Sequence, residues 1–161
     1  FEDGRDLMYY RLRRTDGSAD PMSAGSLVTA GGALRRLGDA AVTLEPLRWW
    51  RADDGTAYPV AWEMHLPGEP RWRIDAVFDA QRMDLTVRYW EGMVTVTEAD
   101  SGAPLGRGYM ALAGYLAGRA TGRGRSRGRN WWIVRAGRLR ANTSEEVRAE
   151  EVTRKCRSGR A

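Results

Sequence analysis

Tyr58-Pro59-Val60-Ala61-Trp62-Glu63-Met64-His65-Leu66 decides how this chain is read. Large apolar side chains fall on Tyr58, Val60, Trp62, Met64 and Leu66, with Pro59, Ala61, Glu63 and His65 between them. A period of two is that of a β-strand with one face turned toward a core. Turn chemistry brackets the stretch, Asp53-Asp54-Gly55 before it and Pro67-Gly68 after it. Arg71–Phe78 alternates in the same way, with Trp72, Ile74, Ala76 and Phe78 on one side. Leu85–Thr97 (LTVRYWEGMVTVT) is the longest such stretch. Its expected core face carries Leu85, Val87, Tyr89, Glu91 and Met93, and Arg88, Trp90 and Val94 take the other. Gly92 is the expected site of a bulge.

Four more segments extend the pattern: Asp6–Arg13, Ser23–Ala30, Ala41–Arg51 and Gly108–Leu116. Pro46, inside the third, implies a bulge, a break or an edge position because it offers no N–H to a ladder. About seven strands at this spacing, with turns between most of them, predict an all-β, antiparallel meander or barrel over residues 1–116. A parallel sheet would need crossover helices, and no helix of ten or more residues is expected there. Ala33–Leu37 is expected to make at most one helical turn.

The chain has 161 residues and 42% hydrophobic residues, including seven Trp and six Tyr, enough for one packed domain. No apolar run is long enough for a transmembrane helix. Cys156 is the only cysteine, so neither a disulfide framework nor a Cys-rich zinc site can be built. The net charge of +5 hides two unlike regions. Residues 1–116 carry 13 arginines against 17 carboxylates, a net of −4, and residues 117–161 carry 13 cations against four, a net of +9. A basic tail on an acidic body suits nucleic acid: arginines for phosphates, Trp131 and Trp132 for stacking on unpaired bases. The Gly/Arg run 118–129 and the ratio of 25 Arg to one Lys instead suggest a poorly ordered or out-of-frame tail. The latter reading is preferred, and nucleic acid is not an expected partner. A short helix over Glu145–Lys155, capped by Ser144, is the one regular element expected in the tail. The opening Phe1-Glu2-Asp3-Gly4 reads as that of a fragment or a processed piece.

The segments Leu7-Met8-Tyr9-Tyr10-Arg11-Leu12-Arg13, Trp49-Trp50, Tyr58-Pro59-Val60-Ala61-Trp62 and Tyr89-Trp90-Glu91-Gly92 occur in that order. They are followed by Gly106-Arg107-Gly108-Tyr109-Met110-Ala111-Leu112-Ala113-Gly114-Tyr115. This set resembles the C-terminal lipocalin-like domain of the AttH/CrtC family, which includes carotenoid hydratase (hydroxyneurosporene synthase) and predicted secreted hydrolases. The most specific part is YWEG followed by the G-x-GY…GY element. Members usually carry an acidic residue where this chain has Ala111, and residues 117–161 depart from the pattern. The resemblance implies a lipocalin-like barrel, the second of two, whose partner is a missing N-terminal lipocalin-like domain. It implies an apolar small-molecule ligand, terpenoid or carotenoid in kind, an extracytoplasmic location, and hydratase- or hydrolase-type chemistry. The alternative is a non-catalytic ligand-carrying barrel, or a structural cap on the missing domain.

Alkene protonation needs a carboxylic acid kept protonated by desolvation, with aromatic faces to steady a carbocation. Glu91 is the candidate catalytic acid, as the only carboxylate on an otherwise apolar, aromatic face. Facing Tyr58 and Trp62 across a barrel, it would fit, whereas pairing with Arg88 or Arg107 would make it structural. Glu63 and Asp75 read as ordinary surface carboxylates. His65, the sole histidine, lacks a nucleophile-elbow motif and a second histidine, which weakens both a Ser-His-Asp hydrolase and a metal site. Tyr58, Trp62, Tyr89, Trp90 and Tyr109 are the candidate ligand-binding residues. With Trp49, Trp50 and Trp72 they can equally be core filling. No cofactor is expected.

Overall fold

The computed structural model describes residues 1–14, 16–85, 88–115 and the backbone of 130–136. Ten strands follow one another: β1 (Asp6–Arg13), β2 (Ala24–Val28), β3 (Leu34–Gly38), β4 (Thr43–Arg51), β5 (Ala57–His65), β6 (Trp72–Ala76), β7 (Arg82–Asp84), β8 (Arg88–Glu98), β9 (Pro104–Ala113) and β10 (Asn130–Ala136). A single 3₁₀ turn, Asp39–Ala41, separates β3 from β4. All join one sheet in the order β3-β2-β1-β10-β9-β8-β6-β5-β4, with β7 also on β8. Every pairing is antiparallel. Among the described residues no helix is long and apolar enough to cross a membrane.

Three differences from the sequence reading have clear causes. Leu34–Leu37, the bulk of the expected helical turn, is strand. The Thr29–Ala33 turn, with Gly32 at φ +86°, folds Leu34–Gly38 back onto β2 and gives it a ladder to join. Ladder pairing then overrides the helical i, i+3 spacing of Leu34 and Leu37. Second, the sheet does not end near Leu116: β10 is inserted between β9 and β1. The rest of 117–161, including the helix expected at 145–155, lies outside the described residues. Third, Gly92 is not a bulge; the irregularity in the β8–β9 ladder falls between Val96 and Thr97.

Gly92 instead makes room for a side chain. A Cβ there would collide with the Gln81 amide. That amide accepts from Met93 N–H at 2.9 Å through Oε1 and donates to Phe78 O at 2.7 Å through Nε2. The sheet edge of β8 passes from β6 to β7 across a gap, and Gln81 spans it. Pro46 behaves as its chemistry requires: β4 is a terminal strand of the sheet, and its register against β5 shifts between Pro46 and Trp49.

One face of the sheet encloses a single apolar cluster. Leu7 and Tyr9, Leu27, Leu37, Leu44, Tyr58 to Leu66 in alternation, Trp72 and Ile74, Trp90, Val94 and Val96, Met110 and Leu112 all belong to it. The inward alternation expected for Tyr58–Leu66 holds, and that for 71–78 holds as far as Ala76; Phe78 is exposed. Phe1 packs on Trp72 with ring centroids 4.9 Å apart and its backbone against Gly106.

No ladder joins β3 to β4 among the described residues, so the hydrogen-bonded sheet has an open seam between these two terminal strands. Side chains reach across the region instead. Arg11 on β1 donates to Val42 O at 2.7 Å, and Arg35 on β3 donates to Pro67 O at 2.8 Å. Arg5 pairs with Glu69 at 2.5 Å. The apolar cluster is continuous on both sides of this seam.

Candidate functional site

The β4–β5 hairpin builds the most distinctive corner of the molecule. Its turn closes through Ala52 N–H to Thr56 O and Gly55 N–H to Ala52 O, with Gly55 at φ +82°. This closure sets Trp50 opposite Tyr58 in the ladder, where cross-strand side chains are within reach of each other. Their rings stack at 6.2 Å and 26°. Tyr115, just past β9, lies 5.5 Å from Tyr58 and meets the Trp49 ring edge-on at 6.4 Å. The Arg13 guanidinium stands 5.4 Å from the Tyr115 ring. Trp50 and Tyr115 are the only aromatic residues among those described that pack on the core while remaining partly open.

A charged girdle borders this corner. Asp54 holds Arg82 at 2.8 Å and Arg88 at 3.2 Å, and Arg82 also holds Asp84 at 2.7 Å. Surface pairs of this kind add little stability, about 0–1 kcal/mol each; their effect is to fix side chains near Tyr58. The Thr56 N–H hydrogen bond, followed by the two arginines, holds the Asp54 carboxyl below its ordinary value. Burial pushes the Tyr58 phenol up and the Tyr115 phenol up to about 12. The aromatic corner thus presents neutral rings, and Asp54, the carboxylate that borders it, is ionised.

The five expected ligand contacts and Glu91 do not assemble into one site. Tyr58 is in the corner. Trp62 and Trp90 are core residues whose indole N–H groups donate to Pro59 O at 2.9 Å and Asp79 O at 2.6 Å. Tyr89, Glu91 and Tyr109 are on the opposite, outer face of the sheet. The phase of β8 is set by Trp90, Val94 and Val96, all buried. Turning these three inward buries more apolar area than turning Tyr89, Glu91 and Met93 inward, so the expected core face of this strand is reversed. Glu91 therefore stands back to back with Tyr58 and Trp62, not across from them. On that outer face Tyr109, one diagonal away across the β8–β9 ladder, hydrogen-bonds Glu91. Burial, then the neighbouring Glu91, raises the Tyr109 phenol well above its ordinary value.

The remaining titratable candidates are accounted for. Glu63 pairs with Arg71 at 3.2 Å and Asp75 with Arg73 at 2.6 Å. His65 is exposed at the end of β5. Among the described residues no three His, Cys, Asp or Glu side chains group as a metal site. The sequence reading noticed Trp49 and Trp50 in the aromatic set and Tyr115 in the GY element, but nominated none of them. The signal was present: two consecutive Trp residues at the end of a strand, next to a tight turn, place at least one ring at the rim of a sheet.

An all-β antiparallel meander with an aromatic rim is the class of protein this geometry defines. The AttH-like family model matches residues 1–115, and the chain belongs to that family. A solved structure of an AttH from Nitrosomonas europaea is 34% identical, with a TM-score of 0.58. The match covers 71% of this chain and 39% of that one, so this chain spans well under half the length of its relative. Kievitone hydratase from Nectria haematococca is 10% identical, with a TM-score of 0.44, over 83% of this chain and 39% of that one. No curated protein sequence matches the chain.

Proposed function

We propose that the chain is the ligand-holding part of a longer AttH-like protein. In this reading an elongated apolar molecule, terpenoid in kind, lies against Trp49, Trp50 and Tyr115, which pack around the buried Tyr58, over a lipocalin-like barrel closed at the β3–β4 seam by packing. The observation that carries it is that Trp50 and Tyr115, packed against the buried Tyr58 ring, are themselves only partly buried. Elsewhere the inner face is filled by side chains, and rings left open at its end offer large, stiff apolar area to a ligand. A proton donor for hydratase- or hydrolase-type chemistry would come from the rest of the protein. Asp54 is held ionised by Thr56 and two arginines, and an alkene needs a protonated acid. The same observation favours a second reading, a non-catalytic carrier.

Geranylgeraniol, titrated into the full chain and followed by tryptophan fluorescence, tests the binding. Trp50→Leu is expected to weaken it at least tenfold, and Glu91→Gln to change it less than twofold because Glu91 is on the other face. Equal affinity in the parent and Trp50→Leu ends the proposal. Incorporation of ¹⁸O from water into the same probe by an AttH-length protein carrying this chain would separate the enzyme from the carrier.

A further inference from the structure

Part of the outer face of β7, β8 and β9 is apolar where an outer face is ordinarily polar. Met83 is opposite Tyr89, Met93 is opposite Tyr109, and the Val77 N–H donates to Met93 O, so the side chains form adjoining cross-strand rows. Val77, Phe78, Met83, Met93 and Tyr109 are all exposed. Scattered apolar residues on a surface need no account, but a contiguous patch rimmed by charge marks an interaction surface. The rim is present: Arg73–Asp75 on one side, Arg82–Asp84 and Arg88–Asp54 on the other. Inside it the one carboxylate is Glu91, already hydrogen-bonded to Tyr109.

We propose that this face docks the remainder of the AttH-length protein, a second protein surface that is apolar and brings one hydrogen-bond donor or cation to Glu91. The inference rests on the reading of this chain as part of a longer protein. The occupant follows from length: the relative that matches this chain carries 61% of its residues outside the match, a mass of protein that must pack somewhere. The inner face is filled, and the terminal strands β3 and β4 border the seam that Arg11 and Arg35 span. Of the surfaces left, the β7–β9 face combines open apolar area, a charged border and a single central carboxylate, the arrangement of an interface core with its polar rim.

Hydroxyl-radical footprinting read by mass spectrometry tests this. The samples are the full 161-residue chain alone and the same chain carried in place of its matched portion in the Nitrosomonas europaea protein. Met83, Met93 and Tyr109 are expected to label readily in the free chain and at least fivefold more slowly in the longer protein. Met22, 71% exposed in the β1–β2 turn, should label equally in both. Unchanged labelling of Met93 and Tyr109 overturns the proposal. So does protection that grows with the concentration of the free chain and vanishes on dilution, which assigns the face to a second copy. Should the joined protein not fold, the unmatched part of the Nitrosomonas europaea protein is added in trans to the folded chain; absence of protection at 100-fold excess then counts against docking. Geranylgeraniol binding by the free chain is scored separately, so failure here leaves the aromatic-corner reading standing, and the converse.

Discussion

Gly25 has no room for a methyl group. It is opposite Tyr9 in the β1–β2 ladder, and a Cβ would meet the Met8 carbonyl and come within 2.8 Å of the Tyr9 ring. Gly25→Ala should therefore cost about 2 kcal/mol, the range for overpacking a filled core; urea unfolding measures it, and a loss under 0.5 kcal/mol would mean that Tyr9 is free to shift. Tyr115 yields a pH prediction. Its folded value of about 12 exceeds the ordinary tyrosine value of about 10. Its contribution to stability is thus fully present below pH 10 and is lost as pH rises from there to about 12. Tyr115→Phe should flatten that part of the stability curve. Identical slopes for parent and variant would mean that the phenol is solvated. At this scale the sequence was legible where all the large apolar side chains fell on one face, as in Tyr58–Leu66. It misled at Glu91, because β8 has apolar residues on both faces and alternation alone does not say which face is inside.

At the scale of elements, the terminal strand β4 and the Gln81 bridge are the informative ones. Pro46 keeps a donor off β4, at an end of the sheet, where a free ladder edge would recruit another strand. Pro46→Val should leave stability within about 0.5 kcal/mol but raise concentration-dependent self-association, followed by sedimentation velocity. An unchanged monomer fraction would remove the protective role of Pro46. Pro46 was readable from chemistry alone, as were the turns at Asp53-Asp54-Gly55 and Pro67-Gly68. β7 was not. Three residues are too short to show a period, and what fixes them is an amide from outside any strand. β3 was hidden for a related reason: Leu34 and Leu37 mimic a helical spacing, and only pairing with β2 decides.

At the scale of the whole molecule, the strand order makes β10 the link that joins the first three strands to the rest. A variant lacking residues 130–136 should lose on the order of 5 kcal/mol, several net backbone hydrogen bonds together with packing. Its β1 and β9 amides should lose protection in hydrogen exchange. Exchange rates equal to those of the full chain would show that β1 and β9 pair without β10. The sequence offered little warning, since Trp131–Val134 is embedded in a Gly/Arg-rich region whose composition argues against a packed element. Its apolar run becomes meaningful only once two open ladder edges are seen to need it.

The seam between β3 and β4 has one more consequence. A cylinder hydrogen-bonded all the way round has a fixed circumference, and swelling it means breaking a ladder. A split ring can alter its girth at the split alone. Here the Arg11–Val42 and Arg35–Pro67 hydrogen bonds and the Arg5–Glu69 ion pair span that region, and opening them leaves every ladder intact. Widening the sheet there would cost the release of those arginine side chains and of the apolar packing across the seam, but no ladder.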